Sequence, residues 1–347
     1  YSNNTGTQAV PVFSLRRRDA MRLSLLNEKA IGKELAMPIY TAEGTIMLNN
    51  GAELTEKIID RLRKLGVGTV YINDVENDDV VVKEILDTIL RIKLIKDLRK
   101  IFDAVKRKKE LDTGMVKNIV KEILDNIDMS ENAAISLGNM ENSKNDLCSH
   151  SLDVAVLSIL TGISRQYNYN QLYDLGVGAL LHDIGKLFTE GQKHTEEGFN
   201  FVRSYREFSA ASNICVYSHH ENVDGTGYPR SFKSEQIYEY AKIVALCNEY
   251  DNLTKTNSEM LPHEALEHIC SNVGKKFDED VYHDFTKAIR CYPNGLPVTL
   301  NNGEKGIVIM QNKNFPQRPV IKLNYKGDKK YINLMETLTL FISAVNI

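Results

Sequence analysis

Leu180-Leu181-His182-Asp183-Ile184-Gly185-Lys186 places an imidazole and a carboxylate side by side at the end of an apolar helical run. Adjacent residues on a helix diverge by about 100°, so both side chains can address one centre only near a helix end or with the carboxylate as a bridge. A pair of metal ions satisfies that geometry. By itself a His-Asp dipeptide is a commonplace capping or surface feature, and its company gives it weight: His150 in Ser149-His150-Ser151, His194 in Lys193-His194-Thr195, and His219-His220 followed by Glu221. Neutral imidazoles with carboxylates suit iron or manganese, and also zinc, nickel or cobalt. The absence of paired-cysteine spacing argues against a structural zinc site.

Around this stretch lies a chain of 347 residues and 39.3 kDa, more than one hydrophobic core comfortably holds, so two or three packed units are expected. Lys and Arg number 43 against 46 Asp and Glu, a formal charge of -3, and no basic stripe dominates any region. No nucleic-acid partner is therefore expected. Charge interrupts the apolar stretches before the roughly 18 residues a membrane span needs, and no signal segment opens the chain. The expectation is a cytoplasmic protein with no membrane partner. The 5 cysteines have no CxxC pair and read as reduced, structural thiols.

Residues 1–12 are polar and irregular and read as a flexible lead. Residues 13–79 read as a small α+β domain. Its strands are Met37 to Tyr40, Thr45 to Leu48 and Thr69 to Ile72, with a helix from Thr55, as N-cap, to Leu65. Between 80 and 141, Ile85, Leu86, Ile89, Leu90, Ile92, Leu98, Ile101 and Val105 recur at helical spacing. One or two long linker helices are expected, with apolar positions numerous enough to pair in a homodimer. Residues 142–290 read as helices carrying the chemistry, and residues 291–347 as a small β unit with strands at 297–300, 306–311, 320–324 and 330–334. The fold class is mainly α: a helical core flanked by a small N-terminal α+β unit and a small C-terminal β unit.

The ordered set His150-Ser151, Leu181 to Lys186, His194 with Gly198, His219-His220-Glu221 and then Asp224-Gly225-Thr226-Gly227-Tyr228-Pro229 resembles the HD-GYP domain, from residue 150 to about 270. That branch of the HD phosphohydrolase superfamily is associated with cyclic di-GMP hydrolysis, and the last stretch holds the Gly-Tyr-Pro of its name. The resemblance implies an HD-type helical core and two or three divalent metals held by His150, His182, Asp183, His194, His219 and His220. Asp183 would bridge, a bridging hydroxide would attack phosphorus, and Lys186 would lie near the phosphate, opening cyclic di-GMP to pGpG and onward to GMP. Asp146, one turn before His150, matches an acidic ligand that some members use for a third metal. Gly227, Tyr228 and Pro229 would shape the substrate rim or receive signalling proteins, Tyr228 stacking on a guanine.

Two departures from the family pattern are visible. Asn248, in Cys247-Asn248-Glu249-Tyr250-Asp251-Asn252-Leu253-Thr254, stands where the family carries an Asp ligand, and an amide oxygen lacks the charge that holds a divalent ion. Glu249 and Asp251 are expected to point elsewhere on the helical wheel. The family's following basic run is replaced by Lys255-Thr256-Asn257-Ser258-Glu259-Met260, which has no arginine for phosphates. The alternatives to cyclic di-GMP hydrolysis are thus a degenerate domain that binds a nucleotide or partner protein without turnover, and hydrolysis of another cyclic dinucleotide or a nucleoside phosphate.

Overall fold

The computed structural model describes residues 21–41, 45–74, 80, 82–128, 133–134, 146–257, 260–312, 315–323 and 330–347. The expected flexible lead, most of Ala133 to Asn145, and Ser258-Glu259 of the departed basic run lie outside the described residues.

The N-terminal unit opens with β1 (Met21–Leu25) and continues through β2 (Ile39–Tyr40), β3 (Ile46–Leu48), α1 (Glu56–Lys64) and β4 (Thr69–Asn73). Thr55 caps α1 by accepting a hydrogen bond from the Ile58 amide, which satisfies one of the amides left open at a helix start. β1, which its sequence pattern did not announce, pairs antiparallel with β4 in the register Leu23↔Tyr71.

A short parallel bridge joins β5 (Lys83–Glu84) to β6 (Ala133–Ala134). Between them run α2 (Thr88–Lys108) and α3 (Thr113–Asn126). Here the expectation of a linker needs correction. Ile92, Leu94, Ile95, Leu98, Ile101, Phe102 and Val105 of α2, with Val116, Ile119, Val120 and Ile123 of α3, are buried in the same core as the helices that follow. The apolar positions offered above for a homodimer are thus mostly consumed within the chain, with Ile89 left exposed.

That core is completed by α4 (Leu147–Ser164), α5 (Tyr169–Leu181), α6 (His194–Val202), α7 (Ala210–Ser218), α8 (Glu239–Asp251), α9 (Pro262–Cys270) and α10 (Glu279–Ala288). α4 runs through its middle against α2, α5, α8 and α10. It is long and apolar enough to cross a membrane, but most of it is buried inside the protein, as a central helix requires. Four of the five cysteines are buried and none forms a disulfide; burial pushes the Cys148, Cys247 and Cys291 thiols up to about 12, where they stay protonated and inert.

The C-terminal unit comprises β7 (Pro297–Leu300), β8 (Lys305–Met310), β9 (Val320–Leu323), β10 (Lys330–Asn333) and β11 (Ile342–Val345), one antiparallel sheet in the order β10-β9-β8-β7-β11. It does not stand alone. Leu23, Ala36 and Tyr71 of the N-terminal unit share one core with Leu296, Val298, Val308, Ile321 and Leu323. The Leu23 amide donates to the Gly295 carbonyl at 2.8 Å. Gly295 has φ +86, and a Cβ there would press on Tyr71 and β1 at 3.3–3.5 Å, so a side chain would strain both the turn and the contact. Leu23→Ala should cost about 2–5 kcal/mol, and hydrogen exchange should rise in β7 and β8 as well as in β1 and β4.

Candidate metal centre

The apolar run of α5 ends at Leu181, and His182 follows as its C-terminal cap residue, so the next two side chains turn inward where the helix stops. His182 and Asp183 are fully buried. Ile184 to Leu187 form a short 3-10 turn laid against the start of α6. Gly185 permits that contact: a Cβ there would lie 1.9 Å from the His194 carbonyl oxygen and 2.8 Å from the Gly198 amide nitrogen. The close approach carries His194 to Asp183. His219 and His220 follow α7, and His150 lies in the first turns of α4.

The two oxygens of Asp183 face different groups of imidazoles. Oδ2 lies 3.5 Å from His150 Nε2 and 3.3 Å from His182 Nε2. Oδ1 lies 3.2 Å from His194 Nε2 and 3.5 Å from His219 Nε2. Ligand atoms of His150, His182 and Asp183 lie within 4.8 Å of one another, as do those of Asp183, His194, His219 and His220. Asp183 therefore joins two adjacent clusters.

The tautomers follow from the outer nitrogens. His182 Nδ1 donates to the Ala179 carbonyl at 2.8 Å, His194 Nδ1 to Gly191 at 2.6 Å, and His219 Nδ1 to Cys215 and Val216 at 3.1 Å each. A carbonyl only accepts, so each Nδ1 carries a proton and each Nε2 is turned inward. His150 Nδ1 donates instead to Asp251 Oδ2 at 2.9 Å, a carboxylate behind a ligand imidazole. The inner nitrogens crowd together, with 3.3 Å between His150 and His182 Nε2 and 3.3 Å between His194 and His219 Nε2. Asp183 Oδ1 is buried without a hydrogen-bond partner. Converging lone pairs around a buried, unsatisfied anionic oxygen fit divalent cations, and that donor set is nitrogen and oxygen without thiolate.

Electrostatics agree. Burial works against the Asp183 anion, but His182, His150 and His194 outweigh it and hold the carboxyl well below the usual carboxylate range. Burial lowers His182 to about 4 despite the pull of Asp183, and lowers His219; burial and the neighbouring His219 lower His220. These rings are neutral near pH 7, the form that binds metal. His150 differs: Asp183 and Asp251 outweigh burial and raise it to about 9, so near pH 7 it carries a proton on Nε2 that a cation would displace.

The other expected residues divide. Lys186 Nζ lies 2.5 Å from Asp183 Oδ2 and is half-exposed, at the mouth of the site. Tyr228 stacks on His220 with ring centroids 4.7 Å apart and meets His194 edge-on at 6.5 Å, so it walls the second cluster. Gly227 lets this loop close, since a Cβ would lie 2.3 Å from the Asn222 amide nitrogen and 2.5 Å from the His220 carbonyl oxygen. Pro229 follows a cis peptide bond, and behind it the buried Glu221 accepts hydrogen bonds from the amides of Arg230 and Phe232 at 2.7 and 2.9 Å.

Asp146 belongs to neither cluster. Asp146 caps α4, accepting from the Cys148 amide, and its other oxygen accepts from Arg99 at 2.8 Å. Asn248 Oδ1 accepts from the Asn252 amide at 2.9 Å. Glu249 pairs with Lys276, and Asp251 holds the outer nitrogen of His150 and belongs to neither cluster. Three residues on from Asn248 it lies on nearly the same helix face, a spacing that could have been read from the sequence.

Residues 142–281 match the family model described as HD domain, and residues 297–346 match the one described as KOW domain associated with HD domain. The cyclic di-GMP phosphodiesterase PA4108 of Pseudomonas aeruginosa is 29% identical over 242 residues, covering 63% of this chain and 58% of that protein. The cyclic di-GMP phosphodiesterase PdeB of Borreliella burgdorferi is 28% identical over 199 residues, covering 52% of each. Residues 142–281 of this chain are thus an HD domain. A further relative, the 3'3'-cGAMP-specific phosphodiesterase 2 of Vibrio cholerae, is 29% identical over 123 residues, covering 32% of this chain and 24% of that protein. The chain spans little more than half the length of these two cyclic di-GMP phosphodiesterases.

Gly185→Ala should cost about 3 kcal/mol or more by overpacking against backbone and lower metal content by displacing His194. Asp146→Ala should lose about 1 kcal/mol of helix capping, while metal per chain at saturation, read by elemental analysis, stays at the wild-type value.

Proposed function

We propose that this chain hydrolyses a cyclic dinucleotide, with cyclic di-GMP as substrate, pGpG as first product and GMP as the second. The observation that carries the reading is the division of the Asp183 carboxylate between two groups of inward-facing imidazoles. His150, His182 and Asp183 would hold one divalent cation and Asp183, His194, His219 and His220 another, iron or manganese suiting the donors best. When bound, such a pair supplies Lewis acidity, acidifying water and neutralising charge that develops on phosphoryl oxygens.

The chain's own groups do the rest. Anchored Nδ1 protons keep four rings oriented before any ligand arrives, which avoids reorganisation during reaction. Lys186, beside Asp183 and half-exposed, provides a cation for a phosphate at the mouth. Tyr228, backed by His220, offers an aromatic face to a base and shields one side of the site from water. The relatives named for cyclic di-GMP and for 3'3'-cGAMP support the substrate class.

Asn248 favours a second reading, binding of a cyclic dinucleotide without turnover, because its amide is tied to Asn252 where a charged ligand would serve a cation. Protein purified without air and loaded with iron(II) or manganese(II) should convert cyclic di-GMP to pGpG. Asp183→Asn should reduce turnover by more than the roughly 100-fold that losing a ligand's own hydrogen-bond partner costs. Tight binding with no product over hours would establish the second reading, and recovery of turnover in Asn248→Asp would place the defect at that position.

A further inference from the structure

His150 sits in the opening turns of α4, where two arginines of α2 take hold of the helix from outside. Arg91 Nη2 reaches both oxygens of Asp153 at 2.7 and 2.6 Å, its Nε reaches Oδ1 at 3.3 Å, and Nη2 also donates to Ser149 Oγ at 3.1 Å. The pair is secluded, with the Arg91 side chain 12% and the Asp153 side chain 4% exposed. Two turns further along α2, Arg99 donates to Asp146, the cap of α4, at 2.8 Å. The contacts run antiparallel, Arg91 to Asp153 and Arg99 to Asp146, and they bracket His150.

Ser149 itself donates to Asp153 at 3.3 Å, so Arg91, Ser149 and Asp153 form one network on the residues beside the ligand. Asp251, which holds His150 Nδ1, lies within electrostatic reach of Arg91. A forked guanidinium that engages a carboxylate and a hydroxyl together fixes the rotation of the helix carrying them, which a point charge cannot do. α2 lies outside the 142–281 segment that matches the HD domain.

We infer that Arg91 and Arg99 of α2 are positioning residues for His150, setting the affinity of the cluster at Asp183 Oδ2 from a helix outside the matched domain. The inference rests on the metal reading above. It also accounts for Asp146, whose carboxylate serves the clamp. The clamp fixes His150 alone among the ligands, so its loss weakens one cluster and spares the one at Oδ1.

The test is manganese(II) titration of the metal-free protein, followed by electron paramagnetic resonance and elemental analysis, with circular dichroism confirming the fold of each variant. Wild type should take two ions and show the multi-line spectrum of an exchange-coupled pair. Arg91→Met should bind the second ion at least tenfold more weakly and show the six-line spectrum of a single ion. Arg91→Lys, which keeps the charge without the fork, should recover part of that loss. Where Arg91→Met does not fold, the half-exposed Arg99→Met decides, with an expected several-fold weakening of the same ion. A folded Arg91→Met, or in its place a folded Arg99→Met, that binds both ions with wild-type affinity and a coupled spectrum overturns the clamp and leaves the metal reading standing. Wild type that binds no manganese overturns both.

Discussion

The burial of one carboxylate governs the middle of this protein. Asp183 is excluded from water, and an isolated charge in such a place would be prohibitive. Its carboxyl is nevertheless held well below the usual carboxylate range, with the Lys186 ammonium on Oδ2, while the outer nitrogens of the surrounding rings give their protons to carbonyls and to Asp251. The centre is thus rich in lone pairs and poor in donors, a balance completed by cations. The cap position of His182, the tight turn at Gly185 and the start of α6 at His194 are the local geometry that brings these groups to that one atom pair.

Around the centre, rigidity comes from contacts that cross the chain over long distances. α2 and α3 share the helical core with α4 to α10, and β1 and β4 share a core with the C-terminal sheet. The outer β units are therefore packed on each other while the metal cluster sits in the helical body between them in sequence. Displacement of β1 or of the C-terminal sheet is resisted by a common set of side chains. α2 connects directly to the helix that carries His150 through two arginines.

The loop of Asp224 to Pro229 owes its shape to two different devices. Asp224 receives the Thr226 amide and hydroxyl in a local turn on the surface, which needs no ligand. Deeper down, Glu221 binds the amides of Arg230 and Phe232 and Gly227 lies against the His220 backbone, so Tyr228 is delivered onto the ring of His220. A buried carboxylate that accepts two amides specifies a loop position more sharply than turn propensity does, because leaving either amide unpaired carries a desolvation penalty.

Much was legible in the sequence because the chemistry is written in short stretches. His182-Asp183, His194 and His219-His220 were recognisable as a set, α1 with its Thr55 cap and the strands at 69–73, 297–300 and 320–323 lie close to where periodicity and turn residues placed them, and the helical core between flanking α+β and β units is the observed class. Tertiary structure alone decided the pairings between distant segments: β1 against β4 and Gly295, α2 and α3 inside the core, Arg91 and Arg99 upon α4. It also assigned the acids, sending Asp146 to Arg99 and Asp251 to His150, and leaving Asn248 with Asn252. The physical reason is that helical spacing fixes which residues share a face, whereas the partner opposite that face is set by packing between helices far apart in the chain, a choice made by shape and by the need to pair every buried charge.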